Sequence, residues 1–313
     1  MSLCVKNLSK SYGEKLVLEN LSFEITEPGV YALLGTNGAG KTTSLRMILG
    51  MLAKNSGEVL WNNSPLDAVR DNVGYLAEER GLYPKYSLID QLLYFAKLRN
   101  VSKHTAMERI KYWAQRLAVE EYIFPPKMKN GRKAKDVRAD QLSKGNQQKI
   151  QLMIALISDP QLIILDEPLS GLDPVNTDLF KTIINEEIGK EKYLIMSSHQ
   201  MPTIEEFCSD ITILDRGKAV LQGNLNTIKK SYGRVNLFIK SDMDISSQIA
   251  THNLFIAGKT PSEYHLKVQG EDQAMDFLAA LIAEKIPVIK FELREPSLHE
   301  IFIEKVGNTN DEK

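Results

Sequence analysis

The spacing of apolar residues changes along this chain, and each spacing predicts a different kind of element. Residues 1–78 carry short apolar runs separated by Gly, Pro or Asn, which is typical of β-strands, at 3–8, 21–26, 30–34, 58–61 and 73–76. From Leu88 onwards, apolar residues recur every three or four positions, as on one face of a helix. The pattern therefore predicts a β-rich beginning followed by a helical block at about 86–142.

Alternation of helices and strands then returns. Predicted helices at about 146–158 and 176–189 alternate with apolar strands at 162–165, 193–196 and 211–214, which favours a largely parallel sheet covered on both faces. After Gly223 and Gly233 the pattern restarts, with strands at 235–239, 264–268 and 288–293 and helices at 273–283 and 297–304. We predict one domain at 1–225, a small α+β domain at 226–305 and a frayed tail at 306–313.

Composition and charge exclude several classes of protein. The 313 residues include 39 Lys and Arg against 40 Asp and Glu, so we expect no nucleic-acid partner, and we interpret the basic stretch 127–138 as a solvated loop. Cys4 and Cys208 form neither a disulfide framework nor a metal site, which fits a reducing cytosol. No apolar run approaches the ~18–20 residues of a membrane helix, and no signal peptide is visible. We expect a soluble, cytoplasmic protein.

The most informative segment is 35–43, which matches the pattern G-x-x-x-x-G-K-[ST] at every fixed position. In such a loop, backbone N–H groups turn towards a nucleotide's phosphates, the lysine reaches the β and γ oxygens, and the hydroxyl ligates Mg²⁺. The flanking strand and helix fit a phosphate loop whose helix begins at the phosphate. The predicted nucleotide-binding residues are Gly35, Thr36, Asn37, Gly38, Ala39, Gly40, Lys41, Thr42 and Thr43.

Two carboxylates follow the apolar strand 162–165. Charges at the C-terminal end of a buried strand emerge at the sheet edge where α/β proteins bind ligands. We expect Asp166 to hold Mg²⁺ through the water shell of the ion, with the Thr42 hydroxyl as a ligand, and Glu167 to act as the general base for the attacking water.

Two further motifs surround these carboxylates. Ser143 and Gly145, at the start of the helix before Asp166, form a candidate anion site. The sequence Ser-Gly-Leu-Asp-Pro at 170–174 follows the carboxylates, and His199 ends the next strand. In this order and spacing, residues 1–225 resemble the nucleotide-binding subunits of ABC transporters.

The resemblance implies an α/β P-loop fold: a RecA-like core on a mixed sheet, a β-rich arm and a helical subdomain, followed by the small C-terminal α+β domain. It implies ATP and Mg²⁺ as cofactors, His199 as the catalytic switch histidine that contacts the γ-phosphate, and Tyr12 as the aromatic that stacks on adenine. It also implies that 142–147 is the signature sequence, whose Ser143 and Gly145 complete the ATP site of a second copy or a paired ATPase subunit.

One departure from the family pattern concerns the metal. Where these proteins usually carry a glutamine, this chain has Glu78, which we expect to ligate Mg²⁺ directly. The alternative is that Glu78 faces solvent while Glu79 or Arg80 contacts a partner. The segment 73–85 and the C-terminal sequence at 295–302 look like the sodium-efflux and drug-efflux branch of ABC exporters.

The leading interpretation is an ATPase subunit that powers a separate membrane permease and is peripheral to the inner face of the cell membrane. A soluble ABC ATPase acting on the ribosome or DNA is an alternative, although such proteins usually carry two cassettes or long coiled coils. A catalytically weak regulatory subunit is a further alternative, which the presence of Glu167 and His199 disfavours. The transported substrate stays open.

Overall fold

The computed structural model describes residues 1–79, 81–126, 136–261 and 263–307. It divides into two compact units, Met1–Gln222 and Gly223–Lys313. Among the residues that it describes, none of the helices combines the length and the apolar character that a membrane span needs. Most of the basic stretch 127–138, Arg80 and most of the tail 306–313 lie outside the described residues.

The first unit begins with an antiparallel arm. Its strands, in the order β2-β1-β4-β5, are β1 (Leu3–Tyr12), β2 (Lys15–Ile25), β4 (Ser56–Trp61) and β5 (Ser64–Pro65). Strands β1 and β2 extend to a hairpin that the apolar pattern did not predict. Their pairing shifts register at three points, which breaks the strict alternation by which a strand is recognised in sequence.

The central sheet has the order β10-β9-β3-β8-β7-β6. Its strands are β3 (Gly29–Gly35), β6 (Gly74–Leu76), β7 (Leu162–Asp166), β8 (Tyr193–Ser198), β9 (Cys208–Asp215) and β10 (Lys218–Asn224). The pairs from β9 to β6 are parallel. Parallel register brings the ends of β3, β7 and β8 to one edge, because Leu34 pairs with Ser198 and Asp166 with Ser197.

The helices of the first unit begin at polar caps. They are α1 (Lys41–Ile48), α2 (Leu88–Leu98), α3 (Lys103–Arg116), α4 (Glu120–Ile123), α5 (Lys144–Leu156), α6 (Pro174–Ile188) and α7 (Met201–Glu205), with a 3₁₀ turn at Ala139–Gln141. The side chains of Ser87, Ser102, Ser143 and Asp173 accept a backbone hydrogen bond at the starts of α2, α3, α5 and α6. The predicted helices 146–158 and 176–189 are thus present, each shifted by about two residues towards the cap.

One apolar core joins the arm to the central sheet. Leu3, Phe23 and Trp61 from the arm belong to the same buried cluster as Leu33 and Ile164 of the central strands. Phe23 stacks on Tyr31 with ring centroids 4.4 Å apart. The arm is therefore fixed to the sheet that carries the phosphate loop.

The second unit is a small α+β fold. Its antiparallel sheet has the order β12-β13-β11-β14, with β11 (Asn236–Ser241), β12 (Phe255–Lys259), β13 (Glu263–Lys267) and β14 (Val288–Arg294). Its helices are α8 (Leu225–Tyr232), α9 (Ser246–Thr251), α10 (Glu271–Ala283) and α11 (Leu298–Gly307). Side chains of α9 and α10 pack with those of β11 and β13 in its core.

Three elements of this unit were absent from the sequence prediction: α8, α9 and β12. The two helices are only eight and six residues long, too short for a clear 3.6-residue period. Strand β12 lies at the sheet edge with mostly exposed side chains, and its pairing shifts between Ile256 and Gly258. Its pattern therefore gives no alternation of buried and exposed residues.

Candidate nucleotide-binding site

The segment 35–43 forms a loop between β3 and the start of α1. Gly38 and Gly40 adopt φ of 83° and 105°, which side-chain-bearing residues rarely reach. A Cβ on Gly40 would also lie 3.0 Å from the carbonyl oxygen of Val17. Glycine is therefore required there for both conformation and space, as the sequence pattern predicted.

Lys41 is buried beneath this loop. Its ammonium donates to the carbonyl oxygens of Gly35, at 2.8 Å, and Thr36, at 3.2 Å, and lies 3.3 Å from Oε1 of Glu167. The loop's own carbonyls and the candidate base therefore hold the lysine. A nucleotide γ-phosphate would compete with Glu167 for this cation.

The hydroxyl of Thr42 lies between two carboxylates. Its Oγ1 is 3.1 Å from Oδ1 of Asp166 and 3.3 Å from Oε2 of Glu78. A hydroxyl has one proton and can donate to only one of them at a time. The structure thus brings together the three residues that the sequence predicts as metal ligands.

Asp166 lies at the end of β7 and is fully buried. Burial raises its pKa, against hydrogen bonds from Ser197 and Thr42 that lower it, and nearby Glu78 and Glu167 raise the pKa further. Oxygen Oδ2 is buried without a hydrogen-bond partner. A hard divalent cation fits this set of oxygens, since it would neutralise their charge and occupy the unpaired oxygen. Across the described ranges, no three His, Cys, Asp or Glu side chains are placed to hold a metal unaided.

Glu167 follows Asp166 in a left-handed conformation, with φ of 49°. Non-glycine residues in this region cost conformational energy and cluster at functional sites. Its Oε2 lies 2.8 Å from Nδ1 of His199, and its backbone N–H donates to the Ser197 hydroxyl at 2.9 Å. The carboxylate of Glu167 therefore contacts Lys41 through one oxygen and His199 through the other.

Ser197 is a residue that the sequence reasoning missed. Its hydroxyl accepts from the backbone of Glu167 and donates to Oδ1 of Asp166 at 2.6 Å, so one side chain orients both carboxylates. The sequence signal was its position, at the polar end of the strand and two residues before His199.

A cavity of about 560 Å³ opens over the phosphate loop, within the usual size range of ligand pockets. Its lining includes predicted residues Asn37, Gly38, Gly40, Lys41, Thr42, Thr43, Glu78 and Glu167. It also includes Lys15, Leu16 and Val17 of β2 and Arg216, none of which the sequence identified. Arg216 lies in the turn between β9 and β10, where Gly217 N–H donates to the Ala39 carbonyl at 3.1 Å. Only the tertiary structure brings this turn to the loop.

Several predicted residues lie outside this lining. Gly35, Thr36, Ala39, Asp166 and His199 adjoin it in the loop or behind Thr42 and Glu167, whereas Tyr12, Ser143 and Gly145 lie elsewhere. Tyr12 is exposed at the end of β1, next to the hairpin that leads to Lys15, and the ammonium of Lys10 lies 4.9 Å from its ring centroid. Ser143 is exposed and caps α5, and Gly145 lies in the first turn of that helix. The signature residues therefore do not line the nucleotide cavity of their own chain.

The geometry agrees with comparisons of the whole chain with known proteins. The family described as "ABC transporter" matches residues 18–170, and the "ATP-binding protein DrrA1-3-like, C-terminal domain" matches residues 223–306. The ABC transporter ATP-binding protein YhaQ of Bacillus subtilis (strain 168) is 39% identical over 306 residues, which cover 97% of this chain and 98% of that protein. The Nod factor export ATP-binding protein I of Bradyrhizobium diazoefficiens is 26% identical over 322 residues, covering 98% and 97%.

Solved structures agree on the fold. The "Structure of ATP binding subunit of ABC transporter" superposes with a TM-score of 0.65 and 27% identity, covering 74% of this chain and 93% of that chain. The ATP-binding cassette MJ1267 in its ADP conformation, at a TM-score of 0.60 and 17% identity, covers 74% and 94% and supports the fold alone. The family and the α/β P-loop fold predicted from the motifs are confirmed. The chain belongs to the ABC transporter ATP-binding proteins, whose members are ATPases.

Proposed function

We propose that this chain is the ATP-hydrolysing subunit of an ABC exporter and powers a separate membrane permease. The observation that carries the proposal is that Lys41, Thr42 and Glu167 line one cavity, with Asp166 in contact with Thr42 and His199 in contact with Glu167. This set supplies a cation for phosphate, oxygens for a metal and a base for water. The export direction rests on relatives such as the Nod factor export protein, which also favour an exporter over an ATPase of the ribosome or DNA.

ATP would occupy the cavity with its phosphates against the loop of residues 35–43. The backbone N–H groups at the start of α1 and the ammonium of Lys41 would face the β- and γ-phosphates. Lys15, Leu16 and Val17 line the same cavity, so the nucleoside would lie along β2. Tyr12, at the adjoining hairpin, would reach adenine by a change of its exposed side chain.

Thr42, Asp166 and Glu78 are the residues that would hold Mg²⁺. When bound, Mg²⁺ would neutralise phosphate charge as the γ-phosphoryl group is transferred to water. The unpaired Oδ2 of Asp166 and the position of the Thr42 hydroxyl between the carboxylates of Asp166 and Glu78 support this assignment.

Glu167 would accept a proton from the attacking water. As the water oxygen bonds to the γ-phosphorus, the bond to the β–γ bridging oxygen breaks, and ADP and phosphate leave. His199 would orient the carboxylate of Glu167, which it contacts at 2.8 Å. Because Glu167 is now paired with Lys41, γ-phosphate binding would release it for this role.

The first prediction separates binding from hydrolysis. Lys41→Ala should abolish ATP binding because it removes the buried cation facing the phosphates. Glu167→Gln should still bind ATP but lose about 10²-fold or more in turnover, as expected for removal of a general base. Fluorescent-nucleotide titration and phosphate release measure the two effects. Near-normal turnover by Glu167→Gln would contradict the role of Glu167.

A second copy, or a paired ATPase subunit, would complete the site. Ser143 and Gly145 are placed away from the cavity of their own chain, at the exposed start of α5, where helix N–H groups attract an anion. Two copies facing head to tail would place this helix end against the γ-phosphate of the other. ATP would then favour the closed pair, and hydrolysis would favour separation.

The permease would dock on an exposed aromatic surface, which we name the tyrosine groove. It is a cavity of about 510 Å³ lined by Tyr83, Tyr86, Asp90, Gln91 and Tyr94. The three tyrosines are about half exposed or more. Aromatic residues with a polar tip are enriched at protein interfaces, and an ATPase subunit of this family requires a partner surface.

The tyrosine groove is connected to the metal site by a short segment. The buried side chain of Gln91 accepts from the Tyr83 N–H and donates to the carbonyls of Tyr83 and Tyr86. At the other end, Gln151 of α5 donates to the Glu79 carbonyl at 3.2 Å. Movement of Glu78 on nucleotide binding would thus be transmitted to the groove.

The neighbouring reading frame tests the partner class, since it should encode a membrane protein with several spans.

A further inference from the structure

We propose that Glu78 makes ATP and the divalent cation bind to this site as a pair, so that ATP without a metal is bound weakly. The inference rests on the proposed function and deepens it. It concerns the charge balance around Thr42, which a glutamine at position 78 would change by one full charge.

Two carboxylates meet at the Thr42 hydroxyl, whereas the ammonium of Lys41 is paired with Glu167. Glu78 and Asp166 each place an oxygen within 3.3 Å of Thr42 Oγ1, and Glu167 lies beside them. Lys41 is the cation paired within this group, with Glu167 at 3.3 Å. Lys144 lines a smaller adjoining cavity of about 260 Å³ with Glu78 and Glu167, and no ion pair joins it to either within the described part of the chain. Lys15 and Arg216 also line the nucleotide cavity, so the effect of Glu78 is local. A metal-free triphosphate meets the carboxylates of Glu78 and Asp166 beside Thr42, where a bound metal would neutralise them.

The metal also lacks a complete site without the nucleotide. The described residues offer no set of three His, Cys, Asp or Glu side chains that could hold it. Mg²⁺ in nucleotide sites is typically held by one or two carboxylates and completed by phosphate oxygens and water. The metal thus requires the phosphates as ligands, and the phosphates require the charge of the metal. Such coupling is reciprocal: each ligand raises the affinity for the other by the same factor.

Glu78 is the member of this group whose charge can be removed with the least disturbance. It is exposed, whereas Asp166 is fully buried and bonded to Ser197. Exposure also limits the effect, because water screens a carboxylate at the surface. We therefore expect the charge of Glu78 to weaken the binding of metal-free ATP about tenfold relative to ATP with the metal. A buried charge would have a larger effect.

Titration with a fluorescent ATP analogue, in excess Mg²⁺ and in EDTA, tests this pairing. The wild-type protein should bind the analogue at least about tenfold more weakly in EDTA, and Glu78→Gln should reduce that ratio to about threefold or less. Glu79→Gln is the matched control: Glu79 is adjacent and exposed but pairs with Arg46 at 3.8 Å. It should keep the wild-type ratio.

The reciprocal measurement uses Mn²⁺ followed by electron paramagnetic resonance. ATP should raise the Mn²⁺ affinity by the factor measured for the nucleotide, and by less in Glu78→Gln. If the ratio of nucleotide affinities in Mg²⁺ and in EDTA were equal in wild type and Glu78→Gln, the inference would be overturned while ATP binding stayed intact. Failure of the wild type to exceed Lys41→Ala in binding with Mg²⁺ would instead overturn the proposed nucleotide site.

Discussion

Arg216 brings a further cation to the nucleotide cavity, on the turn between β9 and β10. That turn is fixed to the phosphate loop, since Gly217 N–H bonds to Ala39 and the Gly217 carbonyl accepts from Glu19 N–H at 2.8 Å. The guanidinium is planar and always charged, so it suits either a phosphate or the face of a base. Its position makes it a candidate nucleotide contact that no sequence motif marks.

The prediction at this scale is that Arg216→Ala weakens nucleotide binding. Because the side chain is about half exposed, we expect a moderate loss of about three- to tenfold in affinity for ATP. Lys218→Ala on the same hairpin is the control, since Lys218 pairs with Glu19 and does not line the cavity. Titration with a fluorescent nucleotide compares the two. Equal affinities would exclude a contact by Arg216.

Among the elements, α11 shows how a sequence motif becomes a local structure. Ser297 Oγ accepts from Glu300 N–H at 3.2 Å, and Ser297 N–H donates to Oε2 of Glu300 at 2.9 Å, which is a capping box. Lys267 of β13 and Asn236 of β11 also donate to Glu300. The motif at 295–302 that resembles exporter sequences therefore bonds the last helix to the sheet of the second unit.

The charge of Glu300 makes this link dependent on pH. Burial raises its pKa, but hydrogen bonds from Lys267 and Ser297 outweigh burial and lower the pKa to about 2, from 4.5. A lowered folded-state pKa means that the stabilisation is complete above the unfolded-state value. It is lost as the pH falls from about 4.5 towards 2.

Glu300→Gln should lower the free energy of unfolding of the second unit by about 1–2 kcal/mol at pH 7. The difference from wild type should shrink as the pH approaches 2. Both tryptophans, Trp61 and Trp113, lie in the first unit, so tryptophan emission should be unaffected while circular dichroism reports the loss. Glu304→Gln, one turn later and partly exposed, is the control. A shift in tryptophan emission, or none in circular dichroism, would contradict this account.

At the scale of the whole molecule, the separation of the signature residues from their own cavity predicts ATP-dependent association. Glu167→Gln should sediment as a monomer without nucleotide and as a dimer with ATP, because slow hydrolysis preserves the closed pair. Adding Ser143→Asp should prevent the dimer: aspartate keeps the helix cap but places a negative charge against the γ-phosphate of the other copy. A dimer that forms without ATP would point to residues after about 224 as a constitutive interface.

The tyrosine groove gives a second prediction at this scale. Tyr86→Ala should reduce co-purification with the permease by about tenfold or more, as for an aromatic hot spot, while ATP binding by the isolated chain stays unchanged. Tyr112→Ala, which removes another exposed tyrosine on α3 outside the groove, should have little effect. Equal recovery of the two variants would exclude the groove as the docking surface.

The sequence alone determined the family, the phosphate loop and the identity of the charged residues. These follow from local requirements: Gly40 must adopt positive φ, Lys41 and Thr42 must follow it directly, and Asp166 and Glu167 must end a buried strand. Each requirement acts over a few neighbouring residues, so fixed spacing records it. The predicted domain limits at 225 and 226, and the roles of Tyr12, Ser143 and Glu78, stay predictions.

Only the tertiary structure decided which distant residues share the site. Ser197 orients both carboxylates because parallel register places β8 beside β7, and Arg216 lines the cavity because the β9–β10 turn bonds to Ala39. Thr42, Glu78 and Asp166 are far apart in the chain, and their charge balance exists only where the strand ends meet. Register and charge density depend on contacts between distant segments, which leave no periodicity or spacing in the sequence.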